Sequence, residues 1–228
     1  VASERLLSVQ PAPHSLHGAS TEMIQAGVCL AADWEVPCHT HIAEEAYQRD
    51  EALASWGCGP VEHLSQIGGL SERSVLVHAI WLSESELDQI GAAGAAIAHC
   101  PASNMFLGDG VTPVRAYLRR GLTVGLGTDG GCTNSRHSIY DECRSAVQLQ
   151  KLDAQDGAAM DAETAFALGT AHGGRLLQLP VGELQPSFQA DFSVIDGGDL
   201  SMQPRHFLTK NLVHSMTDRA LNEVSVSG

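Results

Sequence analysis

"VPCHTHIAEE", residues 36–45, is the stretch on which the fold turns. Two histidines, His39 and His41, stand two apart in an apolar run that reads as a β-strand. A carboxylate, Glu44, follows three residues after the second. Residues two apart on a strand share a face, so both imidazoles belong to one side of a sheet. Such a pair either holds one metal ion jointly or presents a single working histidine. The flanking segments decide which.

Working outward, short apolar runs alternate with longer amphipathic ones. Before the 36–43 strand, residues 20–34 read as a helix with Ser20 as N-cap and Met23, Ile24, Val28 and Leu30 apolar. Residues 6–14 are strand-like and end at prolines. After it come helices at about 44–57 and 60–67, a strand at 74–80, and a helix at 83–94 opened by an S-x-x-E capping box from Ser83 to Glu86. A strand at 95–101, a helix at 112–121, a strand at 123–129 and helices at 137–152 and 161–178 follow. Near-continuous apolar strands between helices predict a parallel sheet covered on both faces. His14, His41, His78, His99 and Asp129 all fall at or near the carboxyl ends of successive strands. In parallel α/β folds, and above all in (β/α)8 barrels, catalytic groups gather at that edge. From residue 181 the texture changes to turn residues, an alternating strand up to 196 and a closing "EVSVSG" at 223–228. The expected division is therefore a barrel domain at 1–180 and part of a small β-sandwich domain at 181–228.

Composition narrows the partners. The 228 residues carry a formal net charge of −14, with 43% hydrophobic and 18% charged residues. That balance argues against nucleic acid, whose phosphates call for an excess of Lys and Arg. The chain has no run of about 18 apolar residues for a membrane span, and "VASERLLSVQ" lacks the pattern of a signal peptide. Six cysteines, none in C-x-x-C spacing, read as reduced thiols in a cytoplasmic protein.

The segments "PAPHS", "HTHIAEE", "LVHAIWLS", "AHCPASNMFLGDGVTPV", "GLGTDGG" and "GELQPSFQADFSVID" resemble, in order, those of the amidohydrolase superfamily. The branch they resemble holds the cytosine, guanine and S-adenosylhomocysteine deaminases, the triazine hydrolases and formiminoglutamate deiminase. The resemblance implies a (β/α)8 TIM-barrel metal-dependent hydrolase and assigns roles. His41 resembles the metal-binding histidine of the fifth strand, and Glu44 the carboxylate that shuttles protons. His78 resembles the sixth-strand histidine that contacts water or substrate. Asp129 resembles the eighth-strand aspartate that binds the metal and orients the nucleophile, and His14 a histidine that touches substrate. Asn104, with His99, either shapes the pocket or braces its loop. One divalent ion is implied, Zn²⁺ first and Fe²⁺ as the alternative. It would lower the pKa of a bound water to about 7, and a carboxyl group must then carry a proton to the leaving nitrogen.

The superfamily also has a first-strand H-x-H whose two histidines both bind metal. Only three clear strands follow residue 43, carrying His78, His99 and Asp129, and that count fits strands five to eight. On this reading only His41 is a ligand, and His39 lies one layer deeper. The chain is then the C-terminal half of the barrel, a piece of a protein about twice as long. It shows two of the roughly three protein ligands usual for catalytic zinc.

Ordinary structural roles compete with each assignment. His41 and His78 suit a hydrogen-bonded core, Glu44 a helix first turn, and Asp129 a turn. The expected function is a metal-dependent aminohydrolase that deaminates an N-heterocycle such as a purine, pyrimidine or pterin. Formiminoglutamate-type deimination and triazine-type dechlorination are the alternatives within the fold. An inactive remnant acting as a binding module is the alternative of another class. A small-molecule substrate is expected, with no nucleic acid, no membrane, and homo-oligomers possible.

Overall fold

Four short apolar runs build the main sheet in the computed structural model, which describes residues 7–227. They are β1 (Cys38–Ile42), β2 (Ser74–His78), β3 (Ala96–His99) and β4 (Thr123–Leu126), paired side by side in that order and all parallel. Parallel neighbours need crossovers, and helices supply them. α1 (Thr21–Trp34) precedes β1, α2 (Ala46–Trp56) and α3 (Pro60–Gln66) link β1 to β2, and α4 (Glu84–Ala93) links β2 to β3. α5 (Pro101–Leu107) and α6 (Val114–Arg119) link β3 to β4, and α7 (Ile139–Ala154), α8 (Ala162–Gly169) and α9 (Ala171–Leu177) follow. Every residue of β3 is buried, as expected of a strand covered on both faces. Ile42, Leu76, Ile97 and Val124 from the four strands join Leu64, Ile90, Val147 and Leu168 from the helices in one core.

All four strands end earlier than the apolar runs do. His78 (φ 68°), Ala79 (φ 49°) and Asp129 (φ 58°) turn into the left-handed region, as does Ala43 (φ 47°) just past β1. That conformation stops a strand and costs a non-glycine residue about 1–2 kcal/mol. Strained residues clustered at one sheet edge are a mark of functional sites.

The strand expected over 6–14 is not one. Leu6 lies outside the described residues, 7–14 forms no strand, and the next residue, Ser15, makes an isolated bridge to His41. Pro11 and Pro13 have no N–H for a ladder, although Pro11 O and His14 O accept from His39 N and His41 N. The helix expected over 161–178 is two, broken at Thr170 (φ −125°, ψ −96°). On α1 the inner face is Ile24, Gly27 and Ala31, whereas Met23 and Leu30 are exposed. Helix α5 was not foreseen, and Arg120, just past α6, pairs with Glu84 and Asp88 on α4.

Beyond residue 180, β5 (Phe192–Ile195) and β6 (Leu221–Ser225) pair antiparallel. The strand expected at 223–228 thus starts earlier, and its last residue, Gly228, lies outside the described residues. Between them α10 (Leu208–His214), also unforeseen, packs on α7 and α8. Its Val213 is fully buried in the main core, and the Arg144 guanidinium donates to Val213 O and Met216 O at 3.2 and 3.0 Å.

Candidate active site

The carboxyl edge of the parallel sheet gathers the side chains that the sequence singles out. His41 is the fourth residue of β1, His78 the last of β2, and Asp129 lies three residues past β4. One donor atom from each lies within 4.8 Å of the others. The His41 and His78 rings stack at 5.5 Å, and the His14 and His41 rings lie 5.0 Å apart.

Hydrogen bonds fix the state of each donor. His41 Nδ1–H donates to His14 O at 2.7 Å, so that bond does not use Nε2. His78 Nδ1–H donates to Asn104 Oδ1 at 2.8 Å, and its Nε2 is buried without a hydrogen-bond partner. Burial, opposed by Asn104 and Asp129, holds the His78 pKa below its usual value, so the ring is neutral. Asp129 Oδ2 accepts from Ser103 Oγ at 2.6 Å and Thr133 Oγ1 at 2.8 Å. Partial burial works against ionisation of Asp129, but these hydroxyls and the Gly130 N–H outweigh it and lower its pKa. Two imidazoles and one carboxylate are the donor set a borderline divalent cation takes. Their outer partners are of the kind that orient metal ligands. The residues fit a metal ion.

Glu44 stands beside this group, its Oε1 3.4 Å from His78 Nε2, while Asp129 Oδ2 is 3.9 Å from the same nitrogen. Burial raises the Glu44 pKa, and Asp129 and Glu45 add to that while His41 and His14 oppose it. A carboxyl group shifted toward neutrality can both take and give a proton.

The remaining histidines separate. His39 bonds Gln10 Oε1 at 2.6 Å and stays outside the donor group. His99 is fully buried with both ring nitrogens unpartnered, and burial next to His78 drives its pKa down to about 3. His14 is exposed, bonded to Ser15 Oγ at 2.9 Å. Sequence reasoning gave His78 to water and substrate rather than to the ion, and its ring lies beside His41 and Asp129. Sequence reasoning missed Ser103 and Thr133. It missed Glu142 too, fully buried, whose Oε2 accepts from Ala102 N at 3.0 Å and Oε1 from Asn134 Nδ2 at 2.6 Å. That carboxylate ties together the two segments that carry Asp129's hydroxyl donors.

A parallel α/β barrel sheet with a His–His–Asp donor group at its carboxyl edge defines a (β/α) barrel with a candidate metal centre. The chain belongs to the amidohydrolase family, whose model matches residues 1–228. A 5-methylthioadenosine/S-adenosylhomocysteine deaminase of Nitratidesulfovibrio vulgaris is 33% identical over 217 residues, covering 95% of this chain and 49% of the relative. A 5'-deoxyadenosine deaminase of Methanothermobacter thermautotrophicus is 32% identical over 216 residues, 95% of this chain and 51% of the relative. An adenosine deaminase of Xanthomonas campestris, solved with bound zinc, superposes with a TM-score of 0.93 at 29% identity, covering 99% of this chain and 52% of that one. An atrazine chlorohydrolase of Arthrobacter aurescens, solved with zinc, matches at TM-score 0.89 and 24% identity over 98% of this chain and 52% of its own, a likeness of fold. The four parallel strands are thus part of an amidohydrolase (β/α)8 barrel, and the chain spans about half the length of the curated relatives it matches. No described helix is long and apolar enough to cross a membrane.

Proposed function

We propose that the protein carrying this chain is a metal-dependent aminohydrolase that releases ammonia from an N-heterocycle of the adenine type. The observation that carries the reading is the juxtaposition of Glu44, its pKa raised, with the His41–His78–Asp129 donor group. The deaminase names of the relatives support the substrate class. His41 and Asp129 would hold the ion, Zn²⁺ in preference to Fe²⁺ given the zinc in the similar solved adenosine deaminase. The ion, when bound, supplies a water acidic enough to lose its proton near neutral pH. Asp129 would orient the attacking water through its carboxylate. Glu44 takes the proton and delivers it to the nitrogen that leaves, since an amide anion cannot depart. His78, neutral and backed by Asn104, presents Nε2 to the water and the reacting carbon. His14 lines the entrance. We assign residues 1–180 to the barrel and 181–228 to part of a β-sandwich domain, in a cytoplasmic enzyme.

The test is ammonia release from 5'-deoxyadenosine, 5-methylthioadenosine and S-adenosylhomocysteine by the full-length gene product. Turnover should vanish on chelation and return with zinc. No release from any of the three by zinc-loaded protein would sink the substrate class.

A further inference from the structure

The loop joining α5 to α6 carries a carboxylate with nothing to bind. Asp109 is 6% exposed, and among the described residues no group donates to its buried Oδ2. The loop is tied to the surroundings of His78 in three ways. Asp109 N donates to Asn104 O at 3.0 Å, and Asn104 is the residue that receives His78 Nδ1–H. The Trp81 indole N–H donates to Asp109 O at 2.8 Å. Thr112 Oγ1 accepts from Asn104 Nδ2 at 3.2 Å and donates to His78 O at 3.3 Å. Gly110 (φ 127°) permits the close pass, because a Cβ there would sit 2.8 Å from the Trp81 ring. None of these bonds uses the Asp109 side chain.

The Asp109 carboxyl belongs to the loop held against Asn104 and His78. Burial first, then the charge of Glu44, push its pKa up to about 6. Glu45 and Asp129 add to the shift and His78 opposes it, so Asp109 lies within the field of all four. A buried carboxylate without donors is unfavourable until a donor arrives. Glu44 and Asp129 have roles in the proposed reaction, whereas the Asp109 side chain has no donor among the described residues. An aminohydrolase substrate brings the matching group, since its departing nitrogen bears N–H bonds from the bound substrate through to ammonia.

We infer that Asp109 is a substrate-binding carboxylate that accepts an N–H of the amino group expelled in the reaction. The inference rests on the aminohydrolase reading above and deepens it. In the balanced step a C–O bond to water forms and the C–N bond breaks. One water proton reaches the nitrogen through Glu44, and ammonia leaves. Asp109 accepts a hydrogen bond throughout and undergoes no net change of protonation. The class selected is an amidine-like substrate with an N–H-bearing leaving group.

Two measurements on the zinc-loaded, full-length protein test this. In the first, formamidinium binding is followed by calorimetry for wild type, Asp109→Asn and Asp109→Ala. Wild type should bind about tenfold or more tightly than either variant, as loss of a charge-assisted hydrogen bond implies. Equal binding by all three overturns the inference. In the second, adenosine deamination is compared with hydrolysis of 6-chloropurine riboside, the same ring with a leaving group that has no N–H. Both variants should slow deamination about tenfold or more while chloride release changes less than about twofold. A parallel loss on both probes would mean that Asp109 only supports the loop. The isosteric Asn variant, with a thermal midpoint near wild type, guards against misfolding as the cause. If wild type acts on neither probe yet discriminates formamidinium, the heterocycle reading fails and Asp109 stands.

Discussion

At the scale of single residues, the site depends on how Asp129 is held. Its Oδ2 takes two hydroxyl donors, and the shorter bond comes from Ser103, fully buried at the start of α5. Ser103→Ala should weaken zinc binding by about 10–100-fold, the usual effect of removing an outer partner of a ligand. A zinc titration against a competing chelator measures this, and unchanged affinity would mean that Thr133 alone suffices. Asp129→Ala should lower metal content and turnover together, because on the proposed reading one carboxylate would serve as both ligand and orienting group. Full metal with a near-normal rate would remove Asp129 from the site. His41, Glu44, His78 and Asp129 were legible because their chemistry is uncommon at strand ends and they recur in register. Ser103, Thr133 and Asp109 were not. Small hydroxyls and a loop aspartate occur everywhere on surfaces, and only the fold shows that they are buried and aimed at a site.

At the scale of elements, the capping box read from the sequence has a second job. Glu86 is 3% exposed, its Oε2 accepting from Ser83 N and Oγ at 2.9 and 2.8 Å. Its Oε1 accepts from Val61 N at 2.9 Å, inside the first turn of α3. One carboxylate therefore caps α4 and docks α3. Glu86→Ala should cost about 2–4 kcal/mol, more than the roughly 1 kcal/mol of an isolated cap, because buried N–H groups lose their acceptor. Urea denaturation reads the difference, and a loss near 1 kcal/mol would reduce Glu86 to an ordinary cap. The elements that hydrophobic patterning found were those with apolar strands or clear caps. Helix α5 escaped because its pattern is inverted, with Ser103 and Asn104 buried and Met105, Phe106 and Leu107 exposed. Helix α10 escaped for the related reason that only Val213 of its seven residues is buried.

At the scale of the whole molecule, the segment beyond residue 180 is anchored to the barrel helices through α10. Val213→Ala should lower stability by about 1.5–3 kcal/mol, as for loss of a buried aliphatic side chain, and do so within a single unfolding transition. A separate early transition confined to the C-terminal segment would contradict that anchoring. The parallel order of the sheet was readable from strand–helix alternation, and the carboxyl-edge location of the site followed from it. The positions of α10 and the β5–β6 pair did not, since nothing local in their sequence names the surface they pack on. The central claim is that this edge holds a metal ion and that Glu44 moves a proton beside it without binding it. The direct test is Glu44→Gln in the full-length gene product, with zinc per chain and steady-state deamination measured on the same preparation. The account predicts unchanged zinc and a rate lowered by about 10²–10⁴-fold, because glutamine keeps the shape but carries no proton. Unchanged turnover, or zinc lost along with activity, would contradict it.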